Sequence, residues 1–129
     1  MPIRIVRLGS PRMPDEGTRI GTVRRPPRGV PKSEYARRDF YDVWLPTVAP
    51  SQEAMDMAHA ATTPAQWQAF FRRYRSEMQR PDATHAIALL AALSHASDFS
   101  VGCYCEDEAH CHRHALRELL QDAGATLAG

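Results

Sequence analysis

No run of apolar residues in this chain approaches the ~18 that a membrane span needs, and the N-terminal MPIRIVRLGS lacks the long apolar core of a secretory signal. Cysteine is scarce: three residues, all within 103–111, cannot staple distant parts of the chain, which excludes a disulfide framework. Reduced thiols in a cytoplasmic protein are therefore expected. Lysine is nearly absent, since Lys32 stands alone beside fifteen arginines. A large excess of one charge is also missing: the net charge is +1, too small for the broad basic face of a committed nucleic-acid binder, and nucleic acid is not expected as a partner. Internal repeats and low-complexity tracts are lacking too.

What remains is an ordinary globular composition. At 129 residues and 14.5 kDa, with 43% hydrophobic and 24% charged residues, the chain suits one domain spanning 1–129 around one core. The small net charge hides an asymmetry: residues 1–50 hold ten basic and five acidic groups, and 51–129 hold six basic and ten acidic. Arginine forks in the basic half suit phosphate or carboxylate, so a small anionic ligand is the expected partner.

Ile3 to Leu8 reads as a first strand that stops at Gly9-Ser10-Pro11, and Arg19 to Val23 as a second that Pro26 and Pro27 must end. Residues 33–39 suggest a short helix, and Phe40, Tyr41 and Trp44 an aromatic anchor for the loop. Helical signals follow Pro50. Ser51 is placed to cap a helix over 51–60, and Thr63, Pro64 and Gln66 form a capping box ahead of the stripe Trp67, Phe70, Phe71, Tyr74 and Met78. Asp82 is placed to cap a third helix, apolar around most of its circumference and hence expected to be well buried. Phe99 to Tyr104 reads as an inner strand between covering helices, and a last helix runs from about Cys111 to Ala123. The expected fold is α/β: a small, mostly parallel sheet of few strands covered by helices.

The chemistry concentrates in Cys103-Tyr104-Cys105-Glu106-Asp107-Glu108-Ala109-His110-Cys111-His112-Arg113-His114, which holds every cysteine and three of the six histidines. It spans a strand end, a loop and a helix start, where α/β proteins place ligands. Cys111 at the helix start, with Arg113 nearby, is expected to have a lowered pKa. Two site readings follow. In the first, Cys105 or Cys111 is a reactive thiol, His112 transfers protons, and Arg24, Arg28 and Arg113 hold a phosphate- or carboxylate-bearing substrate. In the alternative, Cys103, Cys105, Cys111 and a histidine such as His110 form a structural Cys3His site for zinc, in a module that is not catalytic. If the second strand lies beside the last with both carboxyl ends on one edge, the turn Val23 to Lys32 meets the cysteine segment in one pocket.

Several motifs resemble those of a known family. Arg24, Pro27, Arg28, Gly29 and Lys32 are similar to the D-R-x-W-P-R-G turn and following lysine of the YeaO-like branch of the domain of unknown function 488 family. Trp44-Leu45 and Ala49-Pro50-Ser51 resemble its W-L and A-P-S segments, and Trp67, Phe70, Tyr74 and Glu77 its W-x-x-F-x-x-x-Y-x-x-E helix. Cys103, Cys105, Cys111, His112 and Arg113 resemble the carboxyl-terminal signature of the wider family. Val23 replaces the turn's Asp and Pro26 its Trp, so no role needing that carboxylate carries over. The resemblance implies a small bacterial cytoplasmic α/β protein, and it implies no reaction or cofactor.

Overall fold

Short segments rich in β-branched residues pair edge to edge in the computed structural model, which describes residues 2–128. They are β1 (Ile3–Arg7), β2 (Thr18–Gly21), β3 (Val43–Trp44) and β4 (Phe99–Cys103). All pairings are parallel, in the order β1-β4-β2-β3, with Ile3 opposite Phe99, Ile20 opposite Val101 and Ile20 opposite Val43. β4 is paired on both edges and buried at every residue, as an inner parallel strand should be. The outer edge of β1 is covered by the chain's end: Ile3 N–H donates to the Thr126 carbonyl and Ala128 N–H to the Ile3 carbonyl, both at 2.9 Å.

The helices are α1 (Gln52–Ala60), α2 (Pro64–Glu77), α3 (Pro81–Leu93) and α4 (His112–Asp122). Ser51 and Thr63 cap as expected, and the Thr63–Gln66 box is closed in both directions. Phe70, Phe71, Tyr74 and Met78 of the aromatic stripe join Ile3, Phe99, Val101, Ile87, Leu90, Leu116 and Leu120 in the main core, with Trp67 packed at its edge. The opposite side chains of β4 meet loops instead: Ser100 donates to Glu16, and a Cβ on Gly102 would strike Leu8 and the Val6 carbonyl. Helices therefore cover one face of β4, and residues from 8–16 cover the other.

The details differ from expectation in five places. The second strand is Thr18–Gly21, and Thr22 and Val23 already belong to the turn beyond it. Residues 33–39 form only a single 3-10 turn at Lys32–Glu34 followed by irregular turns, and Val43–Trp44, expected only as a loop anchor, pairs as β3. Arg80, not Asp82, is the N-cap of α3, because Pro81 with its fixed φ takes the first helical position. Finally, α3 is less buried than its composition suggests: Leu89 is 60% exposed and Leu93 43%.

The loop-covered face carries a fully buried ion pair. Arg19 donates through Nε and Nη2 to the Glu16 carboxylate at 2.7 and 2.9 Å, and through Nη1 to the Ser10 and Asp39 carbonyls at 2.8 and 2.7 Å. Both residues are at most 1% exposed. Burial alone would raise the Glu16 pKa, but the Arg19 fork and Ser100 hydroxyl outweigh it and hold the carboxyl below its ordinary value. Glu16→Gln leaves a buried cation without its partner and should cost about 3–5 kcal/mol of stability. The sign of the pH effect follows: a depressed carboxyl pKa adds stability that is complete above the ordinary carboxyl range and lost as pH falls through the folded-state value. Denaturant titrations at several pH values should show a shallower acid limb in Glu16→Gln than in the wild type; equal slopes would contradict the assignment.

Candidate functional site

A parallel sheet places the carboxyl ends of its strands on one edge, and the candidate residues gather there. Cys103 ends β4, Thr22 and Val23 follow β2, and Cys111 is the N-cap of α4 with His112 and Arg113 in its first turn. Thr22 N–H donates to the Gly102 carbonyl at 3.0 Å, which sets the start of the arginine turn directly beside the end of β4. Two more bonds hold that turn. Tyr104 Oη donates to the Arg25 carbonyl at 2.9 Å, and Trp44 Nε1 to the Val23 carbonyl at 2.7 Å. Gly29 adopts φ 75°, a left-handed conformation that glycine takes without strain, with open space where a Cβ would lie.

The arginine turn and the cysteine segment share one cavity of about 360 Å³, lined by Arg24, Arg25 and Arg28 on one side and by Cys103, Tyr104 and His112 on another. Gln52, Met55 and His59 of α1 complete the wall. These α1 residues and Arg25 were not among the expected site residues. No spacing motif marks α1, whereas Arg25 stands beside Arg24 in the basic turn and that adjacency was the available signal. Among the described residues, Arg24, Arg25 and Arg28 are exposed and form no salt bridge, unlike Arg12, which is paired with Asp39 and Asp42.

Behind the cavity lies a cluster of thiols. Cys103 and Cys111 are buried and Cys105 is half-buried, and the sulfurs of Cys103 and Cys105 are 3.6 Å apart although the strand ends at Cys103. The ligand atoms of Cys103, Cys111 and His112 lie within 4.8 Å of one another. His112 Nδ1 is 3.7 Å from Cys111 Sγ, and its Nε2 is 3.3 Å from Thr22 Oγ1. Since Thr22 Oγ1 donates its proton to the Gly102 carbonyl at 2.9 Å, it accepts from Nε2–H, and Nδ1 is the nitrogen that faces the Cys111 sulfur. The neighbouring Cys103 and Cys105 thiols, placed to donate toward the Cys111 sulfur, together with His112, outweigh burial and push the Cys111 thiol below its ordinary value. The same contacts keep the protons on the donors: Cys103 is driven up by its bonds to Cys105 and Cys111 and by burial, and Cys105 moves up as well. The shifts run in opposite directions, down at Cys111 and up at Cys103 and Cys105.

Arg113 does not face the cavity. Its side chain is buried, with Nη1 on the Val6 carbonyl at 2.7 Å, Nη2 on the Cys105 carbonyl at 2.7 Å and Nε on Cys111 Sγ at 3.4 Å. Arg113, expected to contact the ligand, is instead buried away from the cavity: three of its five N–H donors are taken by protein, and its Nε faces the Cys111 sulfur. His110 is likewise corrected as a metal-ligand candidate. It is exposed, stacks on Trp67 at 4.6 Å between ring centroids, and has Nδ1 3.2 Å from Asp107. His112 is the histidine that joins the three cysteines.

If Cys111 carries the thiolate, the ultraviolet thiolate band of the folded protein should already be present at neutral pH. It should be absent in Cys111→Ser, and in Cys103→Ala, which lacks the strongest donor, it should appear only at higher pH. A wild-type titration that begins only near the ordinary thiol pKa of ~8.5 would contradict this.

Among the described residues no helix is long and apolar enough to cross a membrane. No curated protein and no solved structure matches the chain. The family model that does match is DUF488-N3a, described as the active DUF488-N3 subclade, and it covers residues 3–124. That span includes the arginine turn, the aromatic helix and the cysteine segment together, and the chain belongs to the DUF488 family.

Proposed function

We propose that the protein is a thiolate-based enzyme acting on a small phosphate- or carboxylate-bearing substrate. The observation that carries this reading is the shared cavity, in which three unpaired arginines face Cys103 and His112 with the Cys111 sulfur immediately behind. Arg24 and Arg28, joined by Arg25, supply charge-assisted donors for the anion. Cys111 holds the negative charge at the N-terminus of α4 beside the Arg113 guanidinium, and the Cys103 thiol and the His112 imidazole are the proton-carrying groups between it and the cavity. Cys105 contributes as a hydrogen-bonding thiol of the cluster and does not line the cavity.

The test is alkylation with iodoacetamide across pH. One thiol should react fast at neutral pH, phosphate should slow that reaction, and Arg24→Ala with Arg28→Ala should abolish the protection by phosphate. Three thiols reacting at the rate of a free cysteine, with no effect of phosphate, would overturn the proposal.

A second reading rests on the same cluster. A tetrahedral zinc with Zn–S of about 2.3 Å sets its sulfurs roughly 3.7 Å apart, and the 3.6 Å between Cys103 and Cys105 is close to that edge. His112 would bind through Nδ1, with the Thr22 hydroxyl fixing the ring from behind as partners of metal-bound histidines do. Metal analysis of protein purified without chelator separates the readings. About one zinc per chain with masked thiols would favour a Cys3His centre over a free thiolate. No metal, together with three titratable thiols, would leave the thiolate reading standing.

A further inference from the structure

The arginine turn borders more than the cavity described above. A second cavity of about 310 Å³ lies against it, lined by Arg24, Arg25 and Arg80 with Pro46, Ala49, Pro50 and Ser51. Arg24, Arg25 and Pro50 line both spaces, so the two are neighbours across a common wall. Their other linings differ in kind. The cavity beside the thiols has the apolar surfaces of Val23, Met55 and Tyr104, whereas the second offers arginine forks over small and proline residues.

The carboxylates nearest this second cavity do not neutralise it. Glu77 accepts from Ser51 N–H at 2.9 Å and from the Ser51 hydroxyl, and also from Arg73 Nε at 2.9 Å, so its charge is held by other groups. Asp82 lies 3.7 Å from Arg80 Nε, but both side chains are more than half exposed, and such pairs are worth little. Arg80 also donates to the Thr47 carbonyl at a long 3.3 Å, which aims the side chain along this wall without using all its donors. Ser51 is occupied by Glu77 and by Ala54 N–H, so the guanidinium groups are the donors left for a ligand. Four arginines, Arg28, Arg24, Arg25 and Arg80, thus border two adjoining cavities that share Arg24, Arg25 and Pro50.

We infer that the substrate carries two adjoining phosphates: one held by Arg24, Arg25 and Arg28 beside the thiols, the other by Arg24, Arg25 and Arg80 in the second cavity. This deepens the proposed function and rests on it for the chemistry, but not for the binding. A single phosphate would use one cavity and leave the other's arginine idle. A diphosphate lying along the shared Arg24–Arg25 edge places charge toward both cavities, and the apolar linings next to the thiols then receive the organic part of the molecule.

The test is calorimetric binding of inorganic pyrophosphate and orthophosphate to the full-length protein. Pyrophosphate should bind at least about tenfold tighter, the size of one added charge-assisted hydrogen bond. Arg80→Ala and Arg28→Ala should each bring pyrophosphate to within about twofold of orthophosphate, because orthophosphate can use whichever cavity remains. Arg80 is an exposed side chain, and Arg80→Gln with an unchanged melting temperature serves as the check that a loss reflects the missing charge and not a damaged fold. Equal affinity for the two anions, or a pyrophosphate preference that survives both Arg80 substitutions, overturns the inference while leaving the thiolate proposal intact. Tighter binding of a single-stranded oligonucleotide than of pyrophosphate, with the same dependence on Arg80, also overturns it. Conversely, a confirmed pyrophosphate preference with unreactive thiols would sink the proposed enzyme and preserve the diphosphate site.

Discussion

Phe99–Cys103 is hydrogen-bonded on both edges and buried throughout, and the arrangement of every other part follows from that strand. Because β1 and β2 both run parallel to it, their carboxyl ends must share an edge with Cys103. Two buried arginines then secure the two sides of the sheet. Arg19, from β2, gathers Glu16 and the carbonyls of Ser10 and Asp39 on the loop-covered face. Arg113, from α4, gathers the carbonyls of Val6 and Cys105 at the functional edge. Each ties main-chain carbonyls of two separate segments to one side chain, and a guanidinium is suited to the task because its several donors lie in one rigid plane.

The arginines accordingly divide into two populations with different work. Arg19 and Arg113 are enclosed and fully engaged with the protein, whereas Arg24, Arg25 and Arg28 stand on a proline-stiffened turn with no acidic partner among the described residues. A turn held by Tyr104 and Trp44 through its own carbonyls, not its side chains, keeps the guanidinium groups available while fixing where they stand. Such preorganisation lowers the entropic cost of binding an anion, since fewer rotors must be immobilised when it arrives.

Much of this was legible in the amino-acid order. Local rules identified α1 and α2, because Ser51 and the Thr63–Gln66 box satisfy helix N–H groups within a few residues of themselves. The meeting of the arginine turn with the cysteine segment followed from parallel α/β geometry, since short apolar strands ending in polar turns share an edge. What could not be read depends on long-range partners. The pairing of Val43–Trp44 as β3 is only two residues long and has no periodicity of its own. The exposure of Leu89 and Leu93 depends on which side of α3 meets the sheet, and a helix apolar on most faces gives no such direction. Arg113 looked like a ligand group because the order of residues shows its charge but not the carbonyls of Val6 and Cys105 that engage it. His110 and His112 are equivalent candidates by spacing, and only the stacking of His110 on Trp67 and the bond from His112 to Thr22 separate them.

The thiol cluster shows why catalysis and metal binding make such similar demands on a site. Both require one or more sulfurs to be deprotonated at neutral pH inside a protein, where burial opposes charge. Here the opposition is overcome at Cys111 by the neighbouring thiols and His112, and Arg113 Nε donates to its sulfur at 3.4 Å. Such an arrangement favours one thiolate, with the protons retained on Cys103 and Cys105. A zinc centre with three cysteines needs three thiolates and would have to displace both of those protons. Arg113, the one guanidinium that touches a sulfur of the cluster, offsets roughly one negative charge. One thiolate beside one buried cation is a balanced site; three beside one cation become balanced only when the metal brings its own two positive charges. Both charge states are thus balanced, and in the proposed enzyme the unpaired arginines across the cavity serve the substrate's anion while Arg113 serves the sulfurs.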